Sequence, residues 1–282
     1  MRKAMFALPL LLAVALLAQS KSPLSQQVVV RNVTLNGITR LSASEQQEII
    51  GRLQKSYGII SFGHIDNNLR EALQDHGFYK ASVAGPTVTV VSGTELNGTV
   101  DVAFDVSEGQ RYRLKNVSFT NNHAFFPEQL RGVIPIEDGN VFSTAEARRG
   151  FEALRKLYVN HGYIDFVPFP ELVVDEQSAL ITMQIDLSEG VPFRVGTLAF
   201  DGAAAAPETT AKLRDSWKKY QGRIYSNDLM PKFVRENASY LPQNESDKQL
   251  FRIVVDQDGH VLHFRLKLDG QAPAAVSHEL SH

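Results

Sequence analysis

Gly139-Asn140-Val141-Phe142-Ser143-Thr144-Ala145-Glu146, and one helix further on Asn160-His161-Gly162-Tyr163-Ile164, are the stretches whose reading decides the fold. In Ser143-Thr144-Ala145-Glu146 the Ser hydroxyl and the Glu carboxylate have the spacing that satisfies the amides left free at a helix start. From there Ala147, Phe151, Leu154 and Tyr158 recur on one helical face, while Arg148, Arg149, Glu152, Arg155 and Lys156 fall largely on the other. Gly162 ends the helix, because glycine takes up a left-handed cap without Cβ strain. The stretch therefore predicts an amphipathic helix that turns at Gly162 into a strand.

The same marks recur in both directions, at a step of about eighty residues. Upstream, a helix carrying Ile65, Leu69 and Leu73 stops at Gly77, so that Gly77-Phe78-Tyr79 matches Gly162-Tyr163-Ile164. A second capping box stands at Ser42-Ala43-Ser44-Glu45. The glycine-to-serine mark appears at 58–61, 139–143 and 222–226. Half-buried strand patterns start each copy: Val30 to Leu35, Leu114 to Phe119 and Val195 to Phe200. Period-two strands close each copy: Val100, Val102, Phe104 and Val106, then Ile181, Met183, Ile185 and Leu187, then Leu262, Phe264, Leu266 and Leu268. After them come Ser107-Glu108-Gly109, Ser188-Glu189-Gly190 and the weaker Leu268-Asp269-Gly270. The third copy departs most. Pro231 falls near the start of its second helix, where only the first turn tolerates it, and Tyr240-Leu241-Pro242 replaces the glycine corner.

Composition bounds the function. The chain has 282 residues, 43% of them apolar, with 29 basic against 31 acidic residues and no cysteine. That balance gives no basic face for nucleic acid, and stability must come from packed cores rather than disulfides. Arg2 and Lys3 precede an apolar run from Ala4 to Ala18, with Ala18-Gln19-Ser20 offering a small-x-small cleavage pattern. This reads as a secretory signal, with an uncleaved anchor as the alternative. The expected organisation is a signal peptide at 1–22, units at 27–110, 111–193 and 194–270, the last degenerate, and a disordered tail at 271–282.

The order β-α-α-β-β with these marks resembles the polypeptide-transport-associated (POTRA) repeats of outer-membrane barrel-assembly proteins. The resemblance rests on Gly139 to Ser143, the helix with Leu154 and Tyr158, Gly162-Tyr163 and Ser188-Glu189-Gly190, and is strongest in the second unit. It implies an α+β fold of tandem units, each a three-stranded sheet backed by two helices. It also implies exported periplasmic modules of a Gram-negative type of envelope, close to the outer membrane yet soluble once the signal is cleaved. The implied partners are an outer-membrane β-barrel protein or unfolded outer-membrane clients. The family's repeats usually precede a large barrel, whereas this sequence ends soon after its third unit, which points to an accessory or scaffold. An envelope connector, of the kind used in cell division, is the alternative reading, and a cryptic hydrolase a remote one.

The resemblance places an exposed edge on the second strand of each unit, where an extended peptide can add as a further strand. The candidate partner-binding residues are Thr87, Val88, Thr89, Val90 and Val91, then Leu172, Val173 and Val174, then Phe251, Ile253 and Val255. No catalytic, cofactor or metal site is expected. His278-Glu279-Leu280-Ser281-His282 has the zinc-protease spacing but lacks a following ligand and lies in the tail, so it reads as chance. Asp256-Gln257-Asp258-Gly259 reads as a hairpin turn, and His76 and His161 as helix C-terminal residues.

Overall fold

The computed structural model describes residues 28–56, 65–95, 97–201, 206–242 and 250–268. The expected signal peptide and tail, the His278 to His282 motif, the mark at 58–61 and Asp269-Gly270 lie outside the described residues.

Among these, the element order repeats three times. The first set is β1 (Val28–Asn36), α1 (Ala43–Ser56), α2 (Ile65–Asp75), β2 (Ser82–Gly93) and β3 (Gly98–Ser107). The second is β4 (Arg113–Thr120), α3 (Pro127–Arg131), α4 (Thr144–Val159), β5 (Val167–Asp175) and β6 (Leu180–Ser188). The third is β7 (Arg194–Asp201), α5 (Pro207–Trp217), α6 (Leu229–Glu236), β8 (Phe251–Asp256) and β9 (Val261–Lys267). The sheets have the orders β1-β3-β2, β4-β6-β5 and β7-β9-β8. In each, the last strand is central, parallel to the first and antiparallel to the second. The fold is thus α+β, with the parallel pair closed by a helical crossover and the antiparallel pair by a hairpin.

The central strands explain the separate cores. Val102 and Phe104, Met183 and Ile185, and Phe264 and Leu266 all face the helices and are buried. Each sheet has its own cluster, around Leu69, Leu73 and Phe78 in the first, Leu154, Tyr158 and Phe166 in the second, and Trp217 and Phe233 in the third. Burying one such large side chain contributes about 1.5–3 kcal/mol.

Both capping boxes form a helix start, in different degrees. At Ser42 the exchange is reciprocal: its amide donates to Glu45 Oε2 at 2.8 Å, and the Glu45 amide donates to Ser42 Oγ at 3.3 Å. At Ser143 only the Glu146 amide to Ser143 Oγ bond forms, at 3.2 Å, because the Glu146 carboxylate turns to Arg149. On α4, Gly150 is buried while Phe151 is only half-buried: a Cβ at Gly150 would come within 2.8 Å of Ile134 Cδ1. The helix approaches its neighbour through a missing side chain, which apolar periodicity does not register.

In the third copy the topology is complete although the sequence marks are worn. Pro231 sits in the first turn of α6, as its missing amide requires. The glycine corner is replaced by a 3-10 turn at Ala238–Tyr240 and by buried Asn237, whose Nδ2 donates to Phe233 O at 2.8 Å. Trp217 donates from Nε1 to Gly196 O at 2.9 Å while filling the core. Among the described residues no helix is long and apolar enough to cross a membrane.

Candidate partner-binding edges and unit junctions

The strands β2, β5 and β8, which hold all the sequence-derived candidates, are edge strands in their sheets. Thr87, Thr89, Val90 and Val91 are exposed and Val88 is half-buried; Val173 is exposed between half-buried Leu172 and Val174. In β8, Ile253 and Val255 are exposed by 43% and 46%, and Phe251 is half-buried.

Two prolines disclose which backbone groups face outward. Pro168 and Pro170 lie in the β5 ladder opposite Leu187 and Ile185. A proline is accommodated on an edge strand where its missing N–H faces away from the neighbour. Residues two apart point their amides the same way, so Leu172 and Val174 present theirs to the open side. Leu172 pairs with Met183 as Val88 pairs with Val102 and Ile253 with Phe264, so the equivalent amides at Val88 and Ile253 point outward too.

The first strands of the second and third sheets are not open in the same way. Gly139 N donates to Leu114 O at 2.7 Å, Leu114 N to Asn140 O at 2.9 Å and Phe142 N to Tyr112 O at 3.0 Å. The third sheet repeats this, with Gly222 N to Val195 O at 2.7 Å, Val195 N to Arg223 O at 2.8 Å and Tyr225 N to Phe193 O at 2.9 Å. Positive φ at Gly139 (85°) and Gly222 (79°) turns each loop onto the strand. Arg113 and Arg194 clamp the turns, each donating to the glycine carbonyl at 2.9 and 3.0 Å. The glycine-to-serine mark therefore covers one edge, which sequence alone did not assign.

The Ser-Glu-Gly closures also have a role not read from sequence. Glu108 is buried and accepts the amides of Thr39, Arg40 and Leu41 at 2.9 to 3.2 Å. Burial alone would raise its pKa, but these amides and the Thr39 hydroxyl outweigh burial and hold it below the usual carboxylate range. Glu189 accepts from the His123 and Ala124 amides at 2.9 and 3.1 Å and from Tyr158 Oη at 2.7 Å. Burial, and then this bond to Glu189, push the Tyr158 hydroxyl well above its ordinary value. Each glutamate ties the end of the central strand to the turn that follows the first strand.

The POTRA family model, the surface antigen variable number repeat, matches residues 28–109 and 112–190, more than half of the chain. The chain belongs to the POTRA family. It is a family of non-catalytic scaffold modules. Residues of the chain are 24% identical over 147 positions to a candidate outer membrane protein assembly factor of Treponema pallidum, covering 49% of this chain and 17% of that protein. The chain thus spans about a sixth of that relative's length. The crystal structure of Haemophilus influenzae BamA POTRA3-5 superposes with a TM-score of 0.56 at 17% identity, over 86% of this chain and 96% of that one. A second structure, BamA from Haemophilus ducreyi lacking POTRA domains 1-3, covers 56% of this chain and 29% of that one at 17% identity with a TM-score of 0.40.

Successive units are joined at the helix-to-strand corner. The Tyr112 amide donates to Gly77 O at 2.8 Å, and the Phe193 amide donates to Gly162 O at 2.9 Å. Gly77 and Gly162 have φ of 90° and 91°, and a Cβ on Gly162 would lie 3.0 Å from Phe193 O. The first junction is strengthened by charge: Asp75, at the end of α2, accepts from the Ala145 amide at 2.8 Å and the Thr144 hydroxyl at 2.7 Å, capping α4 of the next unit. Arg111 donates to His76 O at 2.9 Å and pairs with Glu45. Glu45 would be raised by burial, but its bonds to Ser42 and the Arg111 charge bring it down to about 2. At the second junction Asn160 stands where Asp75 does and accepts the Asn227 amide at 3.3 Å. His76 and His161 lie within hydrogen-bond distance, through Nδ1, of the helix carbonyls of Ala72 and Leu157, at 2.9 and 2.8 Å. They lie one and two residues beyond the ends of α2 and α4, with their rings turned back to the last helical turn. Asp256-Gln257-Asp258-Gly259 is a hairpin turn, with Asp256 Oδ1 accepting the Gly259 amide at 3.0 Å.

Proposed function

We propose that the chain is a periplasmic protein-binding scaffold for outer-membrane protein assembly or secretion, exported by the segment at 1–22, with its units at 27–110, 111–193 and 194–270. Clients add as extended strands along β2, β5 and β8, at Thr87 to Val91, Leu172 to Val174, and Phe251, Ile253 and Val255. The observation that carries this reading is the asymmetry of the sheets: loops occupy part of the first-strand edge in the second and third sheets, and the second strands remain outermost. Main-chain pairing tolerates diverse sequences, which suits partners such as unfolded β-barrel polypeptides. The Treponema relative, named for outer membrane protein assembly, supports the same setting.

The test is photo-crosslinking from Thr89 and Val173 in the native envelope, with the captured proteins identified by mass spectrometry. Outer-membrane proteins or their assembly components are the expected partners. A parallel titration uses Leu172→Pro, which removes an outward amide while leaving the ladder to β6 intact. Unchanged affinity for an extended barrel-derived peptide, with the fold preserved, would remove β5 from the mechanism.

A further inference from the structure

The two junctions share a backbone geometry and differ in the side chain that follows the corner. At the first, Tyr79 follows the glycine corner, meets Phe142 edge-on at a centroid distance of 5.9 Å, and packs against the core of the second unit along with Leu172 and Val174. At the second, the equivalent residue is Ile164. The smaller side chain leaves Ile253 and Val255 exposed and opens a groove of about 550 Å³ between α4 and the sheet edge at β8. Val159, Ile164, Tyr225, Ile253, Val255 and Leu262 line it. Its rim carries Glu152, Arg155 and Lys156, and neither cation has an acidic partner among the described residues.

We infer that this groove is a side-chain pocket for a client strand paired on β8, taking one large apolar residue, an aromatic by size, with a carboxylate beside it. The inference rests on the proposed edge pairing and adds selectivity to it. Ile253 and Val255 present outward amides by the register already given, and their side chains lie in the groove. A strand added there sends alternate side chains to the same face, over Ile164 and Tyr225. The pocket has the size and apolar lining of a ligand site, and the excess of positive charge at the mouth selects an acidic neighbour over a basic one. The first junction offers no such place to its own β5, because Tyr79 fills it.

The test is fluorescence anisotropy on the full chain with two short labelled peptides of alternating Val and Thr. One carries a central Phe followed by Asp, and the other has Ser in place of Phe. The Phe peptide is expected to bind about tenfold more tightly, the scale of one buried side chain. Ile164→Tyr, which installs the first junction's residue, closes that gap, and Lys156→Glu weakens the Phe-Asp peptide. Trp217 emission and far-UV circular dichroism establish that the variants are folded. Equal, measurable affinities of the two peptides, or a gap that survives Ile164→Tyr, overturn the pocket and leave edge pairing standing. Binding of neither peptide overturns both. A rise in Phe-peptide affinity on deleting 271–282 identifies the tail as the native occupant and overturns the client reading.

Discussion

Gly162→Ala tests whether the corner glycines join units or merely end helices. Gly109 is the internal reference: its φ is 69° and a Cβ there would meet no atom within 4 Å. Alanine at Gly109 therefore costs only left-handed strain of about 1–2 kcal/mol, reduced by about 0.4–1 kcal/mol through the stiffer unfolded chain, a net near 1 kcal/mol. Gly162 has a comparable φ of 91°, but its Cβ would lie 2.8 Å from Ile224 Cγ2, 3.0 Å from Phe193 O and 3.2 Å from Phe193 N. The isoleucine methyl can shift. The two backbone atoms move only if β7 retreats from the corner, which adds about 1–3 kcal/mol of overpacking. Gly162→Ala is thus expected to cost about 2–4 kcal/mol. Urea unfolding followed by Trp217, the single tryptophan and a core residue of the third unit, reads the loss directly, and circular dichroism reports the whole chain. A Gly162→Ala cost no larger than that of Gly109→Ala would refute the junction role.

Glu189→Ala strands the His123 and Ala124 amides and the Tyr158 hydroxyl inside the second unit, and a loss of about 3 kcal/mol by urea unfolding is expected; Glu189→Gln, still an acceptor, loses less. Stability should also fall in acid. Glu45 and Glu108 have folded pKa values below the unfolded value of about 4.3, so their contribution is full above it and is lost as pH falls through the folded values. For Glu45 the window runs from roughly pH 5 down to about 2, and Glu45→Gln should flatten the stability profile there. Asp75→Asn weakens a charge-assisted cap across the first junction, and hydrogen exchange at the Ala145 amide should accelerate while exchange in β6 stays slow.

The sequence was most legible where one chain segment determines its own structure. Period-two alternation in Val100 to Val106 and Ile181 to Leu187 identified the central strands, and Gly77 and Gly162 marked corners because positive φ is a local property. Edge order followed only through the family resemblance. The loops at Gly139 and Gly222, and the Glu108 and Glu189 carboxylates, were visible as recurring letters without a role. Their partners lie far away in the chain: Glu189 reaches His123, and Gly139 reaches Leu114. Recurrence of a buried-type acid at the end of a strand was the available signal, since an isolated carboxylate is not buried without donors.

A repeat built this way separates what must be constant from what can vary. The junction bonds run between backbone atoms, from Tyr112 to Gly77 and from Phe193 to Gly162, and so depend on the glycine and on little else. Side chains around the corner are then free to differ. Asp75 at the first junction puts a charge on the next helix, while Asn160 at the second supplies a neutral acceptor at longer distance. Tyr79 closes the first junction against β5, and Ile164 leaves the second open against β8. The worn sequence of the third unit fits the same division. Its core is rebuilt around Trp217 and its topology is intact, while the open groove at the second junction is walled by residues other than Pro231 and Tyr240-Leu241-Pro242, which depart from the pattern.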